Sequence, residues 1–208
     1  MASTNIKSGK ARKAHEPQRC NGRLRVAAIL EAGAAVIAEK GYEAATMAEI
    51  AARSDTKIGS LYRFFPNKEL LAEAMMARYR ENIDTAFDKI DEKVASLSIP
   101  ALTDALFAVL LELRRAGAAV RLMDAHKDWS VKREEFRGIA LKRIAKTLAL
   151  CSPALTASTA RNMAFVILQN MKAMKALSSM TDKKARSGAI KELRGMTQLY
   201  LENRLEKA

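Results

Sequence analysis

The sequence predicts an all-α protein of about nine helices. Three observations predict it. Ala, Leu, Met, Lys, Arg and Glu dominate, and these residues lose least on entering a helix. Only 4 prolines interrupt 208 residues. No stretch alternates apolar and polar residues with the period of two that a half-buried strand needs. Apolar residues make up 49% of the chain, enough for a packed core.

Residues 1–22 are polar and basic, with no apolar face, and read as a disordered arm. The first helix runs from about Arg23 to Lys40. Ile29, Leu30, Val36 and Ile37 form its apolar side, and Gly41 suits a C-terminal stop. Thr46 and Glu49 have capping-box spacing and open a short helix ending near Arg53. "SDTK" at 54–57 is a polar turn. A third helix covers Ile58 to Phe64 and stops at Pro66, because the residue before a proline is pushed out of the α region. Asn67 then caps a long helix to about Lys93.

Beyond "SLSIP" come Pro100–Ala116, a shorter segment from Val120 to Asp128, and a helix capped by Ser130 that reaches Leu150. Ser152 as cap and Pro153 at the first helical position open the next, which ends near Leu177. Thr181 or Asp182 opens the last, to about Leu205.

Two short helices joined by a four-residue turn, resting on a preceding helix, make a helix-turn-helix, whose second helix enters the DNA major groove. That gives the odd composition of "IGSLYRFFPNKELL" (58–71) a purpose. Gly59 has no Cβ and permits close approach of a DNA strand. Leu61 and Phe64 face inward. Tyr62 reaches for a phosphate oxygen. Ile58 and Ser60 suit base edges, through a thymine methyl and a hydrogen bond respectively. Lys57 and Lys68 suit phosphates, and the arm cations Lys7, Lys10, Arg12, Lys13, Arg19 and Arg23 suit either a minor groove or bulk solvent.

These residues resemble the TetR family of bacterial transcription regulators. The resemblance rests on Thr46, Ile50-Ala51, Gly59-Ser60-Leu61-Tyr62, Phe64-Phe65 and Lys68-Glu69-Leu70-Leu71, with Arg25, Ile29-Leu30 and Gly41-Tyr42 in the first helix. It covers about 50 residues, all in the first third. The family turn Ala-Gly-Val-Ser is here Ser54-Asp55-Thr56-Lys57. Aspartate tolerates the left-handed conformation better than most residues, so the turn can form. Threonine packs less well than the family's valine, Lys57 replaces a capping serine, and Phe64 replaces a common histidine. The candidate DNA-binding residues are thus Thr46, Lys57, Ile58, Gly59, Ser60, Tyr62, Arg63 and Lys68.

The division expected is an arm (1–22), a DNA-binding head (23–70) and a ligand-sensing, dimerising helical domain (71–208). Arg121, Asp124, His126 and the lone Trp129 sit between two predicted helices and are candidates for a ligand pocket. Met163, Val166, Asn170 and Met174, with Ile190, Leu193, Met196 and Tyr200, recur at helical spacing on the last two helices. They are the expected face of a four-helix homodimer bundle. The resemblance implies repression at a pseudo-palindromic operator and release by a small molecule, which mostly apolar walls would make hydrophobic or aromatic.

The net charge of +13 fits a polyanionic partner. Residues 1–68 hold 12 Lys/Arg against 6 Asp/Glu, about twice the basic excess per residue of the remainder. No run of about 18 apolar residues spans a membrane, and the N-terminus lacks the apolar core of a secretory signal. Cys20 and Cys151 lie far apart and fit free thiols in a bacterial cytoplasm. Two histidines and two cysteines without ligand spacing suggest no metal, and no phosphate loop or nucleophile motif suggests a cofactor or catalysis. Three rival readings stand beside this one. They are a DNA-binding regulator without a ligand, a helical enzyme, and a membrane-surface protein using the arm.

Overall fold

A computed structural model of the protein describes residues 20–115 and 130–205. The described residues form eight α-helices and one 3-10 turn, with no strand among them. The helices are α1 (Cys20–Lys40), α2 (Met47–Arg53), α3 (Ile58–Phe64), α4 (Lys68–Asp91), α5 (Ile99–Arg115), α6 (Ser130–Cys151), α7 (Ala157–Leu177) and α8 (Lys183–Leu205). Val94–Ser96 make the 3-10 turn. The segment expected as a helix from Val120 to Asp128 lies outside the described residues, as does the arm to residue 19.

The chain divides into two compact units, one ending at Met76 and the other beginning at Ala77. In the first, Ile29, Leu30, Val36 and Ile37 of α1 are buried, together with Ile50 of α2 and Leu61 and Phe64 of α3. Gly41 ends α1 with φ +82°, a conformation that would strain a residue bearing a Cβ. At the start of α2 both halves of the capping box are made. Thr46 Oγ1 accepts from the Glu49 amide at 3.3 Å, and the Thr46 amide donates to Glu49 Oε2 at 3.2 Å. Asn67 Oδ1 accepts from the Leu70 amide at 2.8 Å and starts α4.

In the second unit, Phe87 of α4, Leu102 and Leu106 of α5, Ile144 and Leu148 of α6, and Met163, Ala164 and Ile167 of α7 form the core. Arg143 of α6 fastens the end of α4. Its Nη2 lies 2.6 Å from Asp88 Oδ1 and 3.3 Å from Asp91 Oδ2.

Three boundaries differ from expectation. α1 starts at Cys20, and α4 stops at Asp91 before the 3-10 turn. The cap expected at Ser152 is not there. The Ser152 amide still bonds to Leu148 O at 3.0 Å and closes the last turn of α6. Pro153 occupies the second position of a β-turn closed by the Leu155 amide on Ser152 O, the place its fixed φ suits. Thr156 caps α7 instead, accepting from the Thr159 amide at 3.1 Å. Among the described residues no helix is long and apolar enough to cross a membrane.

Candidate nucleic-acid interface

The four residues between α2 and α3 turn because one of them goes left-handed. Asp55 has φ 47°. The Thr56 amide bonds to Ala51 O at 2.9 Å, and its buried hydroxyl donates to Ser54 O at 3.2 Å. The threonine that replaces the family's valine therefore has its polar atom satisfied within the turn.

α3 then splits into two faces. Leu61 (0% exposed) and Phe64 (5%) anchor it on the first unit's core, while Ile58 (43%) and Tyr62 (47%) stand out in solvent. Lys57 and Arg63 are also exposed. Ile58 and Tyr62, four residues apart, therefore share the side of α3 that the core leaves uncovered. Gly59 is not required by the protein itself: a Cβ there would meet nothing within 4 Å. Space left by the missing side chain is open to an approaching ligand.

Two expected contacts have other work. Thr46 Oγ1 is taken up by the capping box and by Glu49 Oε2 at 3.0 Å. Lys68 points back into its own unit. Its Nζ donates to the carbonyls of Tyr42 (2.8 Å), Glu43 (3.2 Å) and Ala45 (3.2 Å). It also lies 4.4 Å from the centroid of the Tyr42 ring. An ammonium has three donors, and all three are engaged within the first unit, where a phosphate contact was expected. Sequence could not show this, since the carbonyls lie 23–26 residues away.

Charge pairs brace α1 against α2. Lys40 pairs with Glu49, and Arg53 Nη1 lies 2.6 Å from Glu39 Oε2. The Lys40 ammonium, then the Thr46 hydroxyl and amide, hold the Glu49 carboxyl below its usual range. The hydrogen bond from Arg53 does the same for Glu39.

The residues expected on a dimer face separate into three groups by burial. Met163 (0% exposed) and Met174 (5%) belong to the chain's own core and leave the expected face. Helical spacing marks an apolar side without saying which neighbour covers it. Asn170 is half-buried and donates to Thr197 Oγ1 at 3.0 Å, tying α7 to α8. Ile190, Leu193 and Tyr200 are half-buried. Val166 (41%) and Met196 (54%) are open, as is Leu199 (67%), one helical turn beyond Met196 and not among the residues expected there. Arg121, Asp124, His126 and Trp129 lie outside the described residues.

The family described as bacterial regulatory proteins, tetR family, matches residues 29–75, from mid-α1 into α4. The HTH-type transcriptional repressor KstR of Mycolicibacterium smegmatis is 41% identical over 61 residues, 29% of this chain and 30% of that protein. KstR of Rhodococcus jostii is 44% identical over 57 residues, 27% of each chain. The matched segment thus spans less than a third of these relatives. Solved structures resemble the chain over far more of its length. A TetR/AcrR-family transcriptional regulator from Aquifex aeolicus superposes with a TM-score of 0.67 at 21% identity, covering 85% of this chain and 99% of that one. GusR of Salmonella enterica superposes at 0.63 and 21% identity, covering 91% and 98%. The fatty acid degradation regulator FadR of Bacillus halodurans does so at 0.60 and 18%, covering 88% and 97%. At these identities the likeness establishes the fold. The helix-turn-helix segment, residues 29–75, thus matches the TetR family of bacterial regulatory proteins, and the helices of the chain take the fold of solved regulators of that kind.

Proposed function

We propose that this protein is a ligand-responsive transcriptional repressor of the bacterial cytoplasm, and not an enzyme. It binds a pseudo-palindromic operator as a homodimer and releases it when a small molecule binds. The observation that carries the reading is α3, anchored through Leu61 and Phe64 and presenting Lys57, Ile58, Tyr62 and Arg63 to solvent. Tyr62 and Lys57 hold phosphates, while Ile58 and Ser60 meet base edges. One short helix reads few base pairs, so two copies are needed, and the open apolar residues Val166, Met196 and Leu199 are where they join. The repressor names of the relatives support the direction of control. Structures titled as a gamma-butyrolactone receptor and as a fatty acid degradation regulator support a hydrophobic effector, taken up by the domain after residue 71. Trp129 is the only tryptophan, so its emission reports on that domain.

Fluorescence anisotropy on genomic fragments captured by the protein tests the reading. Binding should fall steeply with salt, as released counterions require. Absence of binding to every captured fragment would sink it.

A further inference from the structure

We propose that Lys68 is a positioning residue for DNA recognition, acting through the loop before α2 and not by touching DNA. The inference rests on the function proposed above and assigns this lysine a part in it.

The loop between α1 and α2 turns three carbonyl oxygens, those of Tyr42, Glu43 and Ala45, toward one point. The negative ends of three peptide dipoles repel one another when they converge. They stay together here because the Lys68 ammonium fills the point between them, with the buried Tyr42 ring beneath it at 4.4 Å. The same loop ends at Thr46, the cap of α2. Thr46 is locked by Glu49, and Glu49 is in turn paired with Lys40 at the end of α1. The first residue of α4 and the last of α1 therefore grip the start of α2 from two sides. α2 packs on α3. A loop that opened at 42–45 would release the N-terminus of α2 and with it the seat of the recognition helix. Arginine cannot replace the lysine, because a planar fork does not meet three carbonyls arranged around a point.

The test uses full-length protein, a duplex selected by the wild type from a random-sequence pool, and a scrambled duplex of equal length. Lys68→Met should weaken the selected duplex about tenfold or more, since hydrogen bonds to a charged group are lost. It should leave the scrambled duplex within about twofold and the salt dependence unchanged, because no phosphate contact is removed. Lys68→Arg should fail in the same way. Lys57→Met should instead lower the logarithmic salt slope by about 0.9. Without DNA, amide hydrogen exchange in Lys68→Met should speed up over residues 42–50 and stay unchanged in α6 and α7.

Rescue by Lys68→Arg together with a lowered slope in Lys68→Met would make Lys68 a phosphate contact and overturn the proposal. Equal losses on both duplexes, or unchanged exchange at 42–50, would overturn it too. A wild type that selects no duplex defeats the proposed function instead, and the exchange measurement still decides whether Lys68 holds the loop.

Discussion

Arg143 and Asp91 meet across α6 and α4 with both side chains largely withdrawn from water, at 16% and 8% exposure. Asp91 is the last residue of α4, where the helix dipole disfavours an acid. It is held there by Arg143, by Lys146 Nζ at 2.9 Å and by the Thr147 hydroxyl at 2.6 Å. Arg143→Met should remove the central cation and leave Asp91 and Asp88 under-compensated. Denaturant unfolding should show a loss of about 2–3 kcal/mol. A loss under about 0.5 kcal/mol would place this cluster with ordinary surface pairs.

Gly59→Ala separates folding from recognition. The new methyl meets nothing in the protein, and alanine is the better helix former. Thermal stability should hold or rise, by up to about 0.8 kcal/mol. Operator affinity should nonetheless fall about tenfold, because the backbone can no longer come as close to DNA. Unchanged affinity would move the DNA away from residue 59.

Alkaline unfolding should bear the mark of Tyr79. Burial pushes its hydroxyl up to about 12, above the ordinary value of 10.0. Its folded form holds the proton more tightly than the unfolded chain does. The associated stability is fully present below pH 10 and is lost as pH rises from about 10 to about 12. The loss should amount to about 2–3 kcal/mol. Tyr79→Phe should flatten that part of the stability profile relative to wild type, measured by denaturant midpoints at each pH. Parallel profiles for the two proteins would refute the assignment.

Leu199→Glu and Met163→Glu should fail differently. Leu199 is 67% exposed within the single chain, so a carboxylate there leaves the fold intact. In a dimer joined at this face the same carboxylate would be buried without a partner, raising the dissociation constant by about 100-fold or more. Light scattering should show folded monomers, and operator binding should disappear. Met163 is wholly buried, so its substitution should unfold the chain instead. A Leu199→Glu protein that stays dimeric would exclude this face.

Much of the DNA-reading segment was legible because its signals are local. Thr46 and Glu49 are three residues apart, Gly41 ends one helix and Pro66 another, and each acts on its own turn. What escaped depends on distant partners. The fate of Lys68 is decided by carbonyls more than twenty residues earlier. The burial of Met163 and Met174 is decided by which helices cover them. Ser152 and Thr156 are both good caps four residues apart. The choice between them falls to the α6 hydrogen bond that Ser152 completes.

The left-handed residue in the turn has a consequence for which sequences this protein can explore. Asp55 is exposed, and exposed positions ordinarily accept almost any side chain. Here the demand comes from the backbone, since φ 47° is a conformation that a residue with an ordinary Cβ enters at a cost of about 1–2 kcal/mol. Glycine and asparagine meet that demand, whereas valine or isoleucine at the same solvent-facing site would meet it worst. Position 55 should therefore be among the least permissive exposed sites in a saturation library, with its tolerance ordered by backbone handedness and not by polarity or size.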